Sequence, residues 1–378
     1  MGSTLFKNYI IITIIILTVK GTNSLSKLSP NDISLCMVGD LLIHQPILEY
    51  AKSAGKNNSY NFDFIFENME KYIKEYDIKI INDEVLISGS NYGISGFPHF
   101  NSPFELADSV AKAGFNVILK ATNHVNDINE DARLTDLNNW KRFPNIKVTG
   151  SYENEEEAEK ITYFETKGIK IALLNYCYGS NRFLKNSYTM NKINYDKIKQ
   201  AIDKSKSEGA QLIILLVHWG KEYSLKINNF QNKWSKIFFE LGVDIVIGTH
   251  PHVIQPVKVM EDKETKRKMY IFYSLGNFIN YTSSVGKNIF RRFLGGMAHV
   301  IITKENSKVI IKDVKFIPLV THIYPENKKV TTFKVKDYSE NMAINNYVIT
   351  EKNTDFSYEN IIDTFKNVVD EEFLDFNL

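Results

Sequence analysis

The chain has 378 residues, 43% of them hydrophobic, which is enough for one large α/β domain with its own core. Its 46 Lys and Arg stand against 44 Asp and Glu, and this net charge of +2, with no dense basic stripe, excludes a surface built to grip nucleic acid. Cys36 and Cys177, each inside an apolar run, exclude a Cys-rich metal motif; they read first as buried strand thiols, with one disulfide as the alternative.

Lys7 precedes Tyr9 to Val19, eleven residues without a charge, which has the form of an export signal. The run falls short of the about 20 apolar residues that a full membrane span needs. A hydrophobic first strand or core helix is the bland alternative. Residues 1–24 are therefore read as a signal peptide or N-terminal membrane anchor, and 25–32 as a polar linker. That places the remainder outside the cytoplasm, in the cell envelope.

Globular patterning begins at Ile33. A buried strand runs to Asp40, and near-helical spacing of Phe64, Ile65, Met69, Tyr72 and Ile73 predicts a helix over 62–76. A second strand follows at Ile78 to Asn82, then a Gly-, Ser- and Asn-rich loop to Phe100. Ser102-Pro103-Phe104-Glu105 fits a capping box that opens a helix to Ala113, with Gly114 as its C-terminal cap. Strands are predicted at 115–120, 146–150, 161–166 and 170–178, with a helix over 130–142 among them. Helices over 195–208 and 230–241 then alternate with strands at 211–220 and 243–252. Further strands fall at 268–278, 297–304 and 308–316. This alternation predicts α/β architecture, with mixed β-sheets flanked by helices, over 33–317. Beyond Pro318 the pattern weakens, so 318–378 reads as a small C-terminal appendage with one helix near Glu359 to Val369.

Five short motifs each sit where a predicted strand gives way to a loop. They are Gly39-Asp40 with His44, Asn82-Asp83-Glu84, Thr122-Asn123-His124, His218-Trp219-Gly220, and Gly248-Thr249-His250-Pro251-His252. Open α/β sheets bind ligands beyond the carboxyl ends of their strands, so these groups can converge on one point. Carboxylate and amide oxygens with neutral imidazoles suit a pair of hard or borderline ions such as Mn, Fe, Zn or Mg. A bridging carboxylate lets two such ions sit about 3.5–4 Å apart, where they can activate water and clamp an in-line displacement at phosphorus.

In order and spacing these motifs resemble the CapA family, named for poly-γ-glutamate capsule biosynthesis and part of the calcineurin-like metallophosphoesterase superfamily. Asp127, Phe100-Asn101-Ser102-Pro103, Val253 and Ser274-Leu275-Gly276-Asn277-Phe278 extend the resemblance over about Ile33 to Ile317. It implies a metallo-dependent phosphatase-like fold and two divalent metal ions. By this resemblance Asp40 and His252 hold the first ion, Glu84 bridges, and Asn123, His218 and His250 hold the second. His124 becomes the general acid or a transition-state stabiliser. His44 joins the metal residues less regularly, lying four residues after Asp40 where phosphoesterases usually place a His two after. Asn82, Asp127 and Asn277 are the expected substrate-binding residues.

Two departures stand out. The family commonly reads Asn-Leu-Glu where this chain has Asp83, a possible substitute ligand that strand alternation would turn away from Glu84. Thr122 replaces an Asn.

Bland readings accompany the sharp ones. Asn123 and Asp127 could cap the helix near Glu130, Trp219 and Tyr223 could be packing residues, and Ser274 to Phe278 could be a tight turn with Gly276 at positive φ. His99, His299 and His322 lack a motif and read as structural, although His99 lies near enough to the Phe100 segment to line a cleft. Arg182, Lys221, Arg291 and Arg292 could neutralise an anionic substrate, but isolated charges are more often solvated surface. Two function classes follow. One is a metal-dependent phosphoester hydrolase or transferase acting on an anionic envelope polymer or a phosphorylated precursor. The other is a non-catalytic polymer-binding or transport component of a capsule-export assembly, working with membrane capsule-synthesis proteins. Retention of His124, which no metal requires, separates them in favour of chemistry.

Overall fold

A computed structural model describes residues 28–378, so the signal or anchor expected over 1–24 lies outside the described residues. Fourteen strands follow in chain order: β1 (Ile33–Leu41), β2 (Ile78–Asp83), β3 (Val117–Leu119), β4 (Lys147–Thr149), β5 (Thr162–Thr166), β6 (Ile169–Cys177), β7 (Leu212–His218), β8 (Ile245–Thr249), β9 (Val257–Glu261), β10 (Lys268–Phe272), β11 (Asn277–Ile279), β12 (Leu294–Glu305), β13 (Lys308–Ile323) and β14 (Val330–Lys334). They form two sheets. One runs β14-β13-β12-β1-β2-β3-β4, with β11 added beside β1, and the other runs β5-β6-β7-β8-β10-β9. Strands β1 to β4 are mutually parallel, as are β6, β7, β8 and β10, while the outer partners are antiparallel. The α/β class with mixed sheets and flanking helices is the one read from the sequence.

The apolar runs of β6, β7 and β8 are continuous because both of their faces are covered, as parallel strands require. Period-two alternation sorts them. Ile169, Ile171, Leu173, Ile214, Leu216 and Ile247 join the core that contains β1 and β2. Leu174, Ile213, Leu215, Val217 and Val246 pack the other way, against Ile198, Ile202 and Phe238 of the helices Tyr195–Ser207 and Asn229–Leu241. Both helices start at an Asn side chain that accepts an N–H of their first turn, and the second ends on Gly242 in the left-handed conformation.

At the carboxyl end of β1 its partner changes. Antiparallel β12 pairs with Ile33 to Val38, whereas parallel β11 takes over at Asp40, opposite Asn277. The handover presses Gly39 against Gly276, whose φ is +63° as the tight-turn reading expects. A Cβ on Gly39 would lie 1.9 Å from the Gly276 carbonyl oxygen, so only glycine fits. Gly39→Ala is therefore expected to lower unfolding stability by about 1–3 kcal/mol, the usual cost of overpacking. Urea unfolding checks this, and an unchanged midpoint would contradict it.

Several sequence expectations need correction. The helix over 62–76 is two single turns, Asp63–Phe66 and Glu70–Ile73, with Asn68 between them bonded through its amide to Thr331 Oγ1 of β14 at 3.1 Å. The capping box does not form. Ser102 Oγ has no partner, and Glu105 instead accepts from the Tyr60 N–H. The cap before Glu130–Trp140 is Asn129, which leaves Asn123 and Asp127 free for other work. Strands β9 and β14 had no counterpart in the sequence reading. No break falls after Ile317, because β13 runs through that point and Phe333, Phe365 and Phe373 pack into the core that holds β1. Cys36 and Cys177, by contrast, are the buried free thiols of the first reading.

Candidate functional site

The carboxyl ends of both sheets meet at one edge. The first sheet brings Asp40 at the end of β1, Asn82 and Glu84 at the end of β2, and Asn123 and His124 after β3. The second brings His218 at the end of β7 and His250 and His252 after β8. Asp40, Asn82, Glu84, Asn123, His218, His250 and His252 are all buried.

Their polar atoms interlock. Asn82 Nδ2 donates to Asp40 Oδ1 at 2.8 Å, and the His250 N–H reaches both Asp40 oxygens at 3.3 and 3.4 Å. His252 Nδ1 lies 3.0 Å from Asp40 Oδ2 and 3.1 Å from Asn277 Oδ1. His218 Nε2 lies 2.8 Å from Asn123 Oδ1 and 3.3 Å from Glu84 Oε1. The loop after β8 is strained to reach this place. His250 and His252 have φ of +95° and +56°, a region that non-glycine residues rarely enter and hold only when their surroundings fix them.

Electrostatics test whether cations fit. Burial, reinforced by the neighbouring Asp40, pushes the Glu84 carboxyl well above its ordinary range. Burial depresses His218 to about 3 even against Asp40, and drives His250 well below its usual value with help from His218 and His252. Both rings are thus neutral and able to offer a lone pair. Burial also opposes charge on His252, but Glu84 and Asp40 outweigh it and lift its pKa to about 9. Both Glu84 oxygens, Asn82 Oδ1 and His250 Nδ1 are buried with no hydrogen-bond partner. A neutral His218 carries one proton. If Nδ1 bears it toward Thr249 Oγ1, 2.9 Å away, then Nε2 and Asn123 Oδ1, 2.8 Å apart, face each other as acceptors only. Unpaired buried acceptors are costly, and cations among them would remove that cost. The donor set fits divalent metal.

Two groups of three have ligand atoms mutually within 4.8 Å: Glu84 with His250 and His252, and Asp40 with Glu84 and His218. Glu84 is common to both, the position that a bridging group needs. The partition differs from the expected one, which set His252 with Asp40 and His218 with His250. His44 enters neither group. It is half-buried ahead of helix Gln45–Ala54, edge-on to Phe100 at 5.5 Å, and its Nδ1 lies 3.4 Å from the Tyr281 N–H. His44 thus forms cleft wall beside His124 and His252, outside both ligand groups. Asp83 is no substitute ligand either. It turns away from Glu84, as alternation requires, and bonds Lys120.

His124 stands beside this cluster in a cleft that His44, Phe100, His252, Asn277 and Arg292 also line. Its Nδ1 lies 2.7 Å from Asp127 Oδ2, which also accepts the Phe100 N–H at 2.8 Å. Asp127 is therefore directed at His124, whereas direct substrate contact had been expected. Asn82 is likewise bound to Asp40 and buried. Of the three expected substrate residues only Asn277 lines the cleft. His99 is exposed and away from it, while His299 and His322 bond Tyr76 and Tyr338 in the core, the structural roles read for them. Trp219 is a packing residue, stacked on Tyr273.

Asn181 escaped the sequence reading. Its Oδ1 accepts from Asn123 Nδ2 at 3.3 Å, and its Nδ2 lies 3.5 Å from His124 Nε2. The signal available was its place just after β6, at the same sheet edge as the other motifs. Thr249 was quoted inside a motif but without its contact to His218.

The family described as "Bacterial capsule synthesis protein PGA_cap" matches residues 34–282. The chain is 27% identical over 260 residues to "Capsule biosynthesis protein CapA" of Bacillus anthracis, a match covering 65% of this chain and 59% of the relative. It is 24% identical over 266 residues to "PGA biosynthesis protein CapA" of Bacillus subtilis (strain 168), covering 66% and 64%. The matches thus span less than two thirds of either relative. Among solved structures, the calcineurin-like phosphoesterase YfkN of Bacillus subtilis aligns with 89% of this chain and 96% of its own, at 12% identity and a TM-score of 0.46. A 5'-nucleotidase precursor from Thermus thermophilus aligns with 76% of this chain and 54% of its own, at 12% identity and the same TM-score of 0.46. Both likenesses are distant, and neither transfers an activity. The family match takes in more than half of the chain and every metal-ligand candidate from Asp40 to His252, and the chain belongs to the bacterial capsule synthesis protein PGA_cap family.

Proposed function

We propose that this protein is a metal-dependent phosphoester hydrolase or transferase of the cell envelope, exported and acting on an anionic capsule-type polymer or its phosphorylated precursor. The observation that carries this reading is Glu84. Both of its oxygens are buried without a partner, and it belongs to both ligand groups. Glu84 would bridge two divalent ions, with Asp40, Asn123, His218, His250 and His252 completing their shells. Bound there, the ions would supply Lewis acidity toward a phosphoryl group.

The chain's own residues do the rest. Thr249 fixes the His218 ring, and Asn277 fixes His252 through its ring nitrogen and its backbone carbonyl. Asp127 orients His124, leaving Nε2 as the atom to deliver a proton to a leaving oxygen. This pair also bears on the rival reading, a non-catalytic polymer-binding component working with membrane capsule-synthesis proteins. The relatives' names speak of capsule synthesis, which either reading accommodates. A binding protein has no use for an oriented His124 that holds no metal, so chemistry is favoured.

Purified protein, reconstituted with Mn, Zn, Fe or Mg, is expected to hold about two ions per chain. His218→Ala or His250→Ala should each lose about one. Elemental analysis checks both, and wild-type protein that stays metal-free after reconstitution would sink the proposal.

A further inference from the structure

Of the four basic residues that could meet an anion, the structure separates one. Arg182 is exposed and bonds the Ile128 carbonyl, and Lys221 is exposed on the surface. Arg291 is absent from the cleft that His124 and His252 line, whereas Arg292 is one of its walls.

Arg292 is also held in place. Its backbone carbonyl accepts from Asn277 Nδ2 at 2.9 Å and Asn280 Nδ2 at 3.2 Å. Asn277 is the same residue that contacts His252, so the arginine and the metal cluster share a support. The guanidinium carbon sits 3.4 Å from the centre of the Tyr223 ring. Tyr223 is in turn pinned to the strained His250–His252 loop, since its N–H donates to the Pro251 carbonyl at 2.7 Å. Nη1 donates to Thr282 Oγ1 and Ser284 Oγ at 3.3 and 3.0 Å. Among the described residues, Nε and Nη2 have no acceptor, and Glu222, which lines the same cleft, forms no ion pair with the guanidinium.

A stacked guanidinium with one edge anchored and the other free is preorganised for forked donation to an oxyanion. Its planar fork matches phosphate and carboxylate alike. We infer that Arg292, stacked on Tyr223 beside the candidate metal centre, determines ligand specificity by taking a phosphate or carboxylate oxyanion of the ligand in a forked hydrogen bond. This deepens the proposed function, because it gives the same cleft its anion contact.

The test is calorimetric titration of the full metal-loaded chain with orthophosphate and, separately, with glutarate. Arg292→Ala is expected to weaken binding of at least one anion roughly 10–100-fold, the worth of a charge-assisted hydrogen bond. Arg292→Lys, which keeps the charge but loses the fork, should fall between. Loss confined to orthophosphate assigns a phosphoryl ligand, and loss confined to glutarate assigns a carboxylate. Either supports the inference. If Arg292→Ala does not fold, the shift in Arg292→Lys decides. Equal affinities in wild type and variants overturn the inference, as does a wild type that binds neither anion. If the wild type takes up no metal on reconstitution but its anion binding still falls in Arg292→Ala, this inference stands while the metal-dependent reading falls.

Discussion

His124→Ala is expected to lower kcat by about 10²–10⁴-fold on an unactivated phosphomonoester, the usual cost of a lost general acid, while metal content stays unchanged. His124 lies outside both ligand groups, so its removal leaves every candidate ligand in place. The loss should shrink on an activated aryl phosphate, whose leaving group needs little protonation. Asp127→Asn should fall on the same side, because the carboxylate that orients Nδ1 becomes an amide. Asp40→Asn should instead impair both substrates, since Asp40 belongs to a ligand group. The measurement is a pair of rate ratios alongside elemental analysis. Equal slowing of activated and unactivated substrates by His124→Ala would reject the acid role and leave charge stabilisation in its place.

Lys120→Met is predicted to cost about 3–5 kcal/mol of unfolding stability, because it leaves two buried carboxylates unpaired. Lys120 Nζ lies 2.9 Å from Asp83 Oδ2, 2.6 Å from Asp136 Oδ2 and 2.6 Å from the Val85 carbonyl, with all three side chains almost fully inaccessible. Burial pushes the Asp83 and Asp136 carboxyls up, and Lys120 opposes it. Burial likewise disfavours the ammonium, yet Asp136 and Asp83 hold its pKa above the ordinary lysine value. The triad ties the end of β2 to the end of β3 and to helix Glu130–Trp140, directly behind Glu84 and Asn123. Breaking such a group costs far more than replacing it whole. Lys120→Met combined with Asp83→Leu and Asp136→Leu should therefore recover much of the loss. Urea unfolding of the single and triple variants decides. A single variant within 1 kcal/mol (about one hydrogen bond) of wild type would show that the triad carries little.

The strands that build the site were legible because they are apolar runs that end in polar motifs. Asp40, Glu84, Asn123, His218, His250 and His252 each follow such a run, and the ends of parallel strands share one edge. Strands β9 and β14 were not legible. Val257–Glu261 is mostly exposed and lacks an apolar run, while Val330–Lys334 is buried through contacts with distant residues. The Lys120 triad was hidden for the same reason, since its partners stand 37 and 16 positions along the chain. His44 follows the end of β1 into the cleft wall, beside Phe100 and Tyr281, a place that local spacing alone does not give. Arg292 looked like any surface charge until Tyr223, Asn277 and Asn280 gathered around it.

The handover of β1 from β12 to β11 separates what is recognisable in this chain from what holds it together. The family match stops at residue 282, but the antiparallel neighbour of Ile33 to Val38 is β12, beginning at Leu294. A fragment trimmed to the matched stretch would keep every metal-ligand candidate and lose that neighbour. Its β1 would become a bare, mostly apolar edge with unpaired N–H and C=O groups, a template for sticking to other chains. The family match therefore takes in every metal-ligand candidate, while the sheet that carries them extends past it, at least through the strands that shield β1.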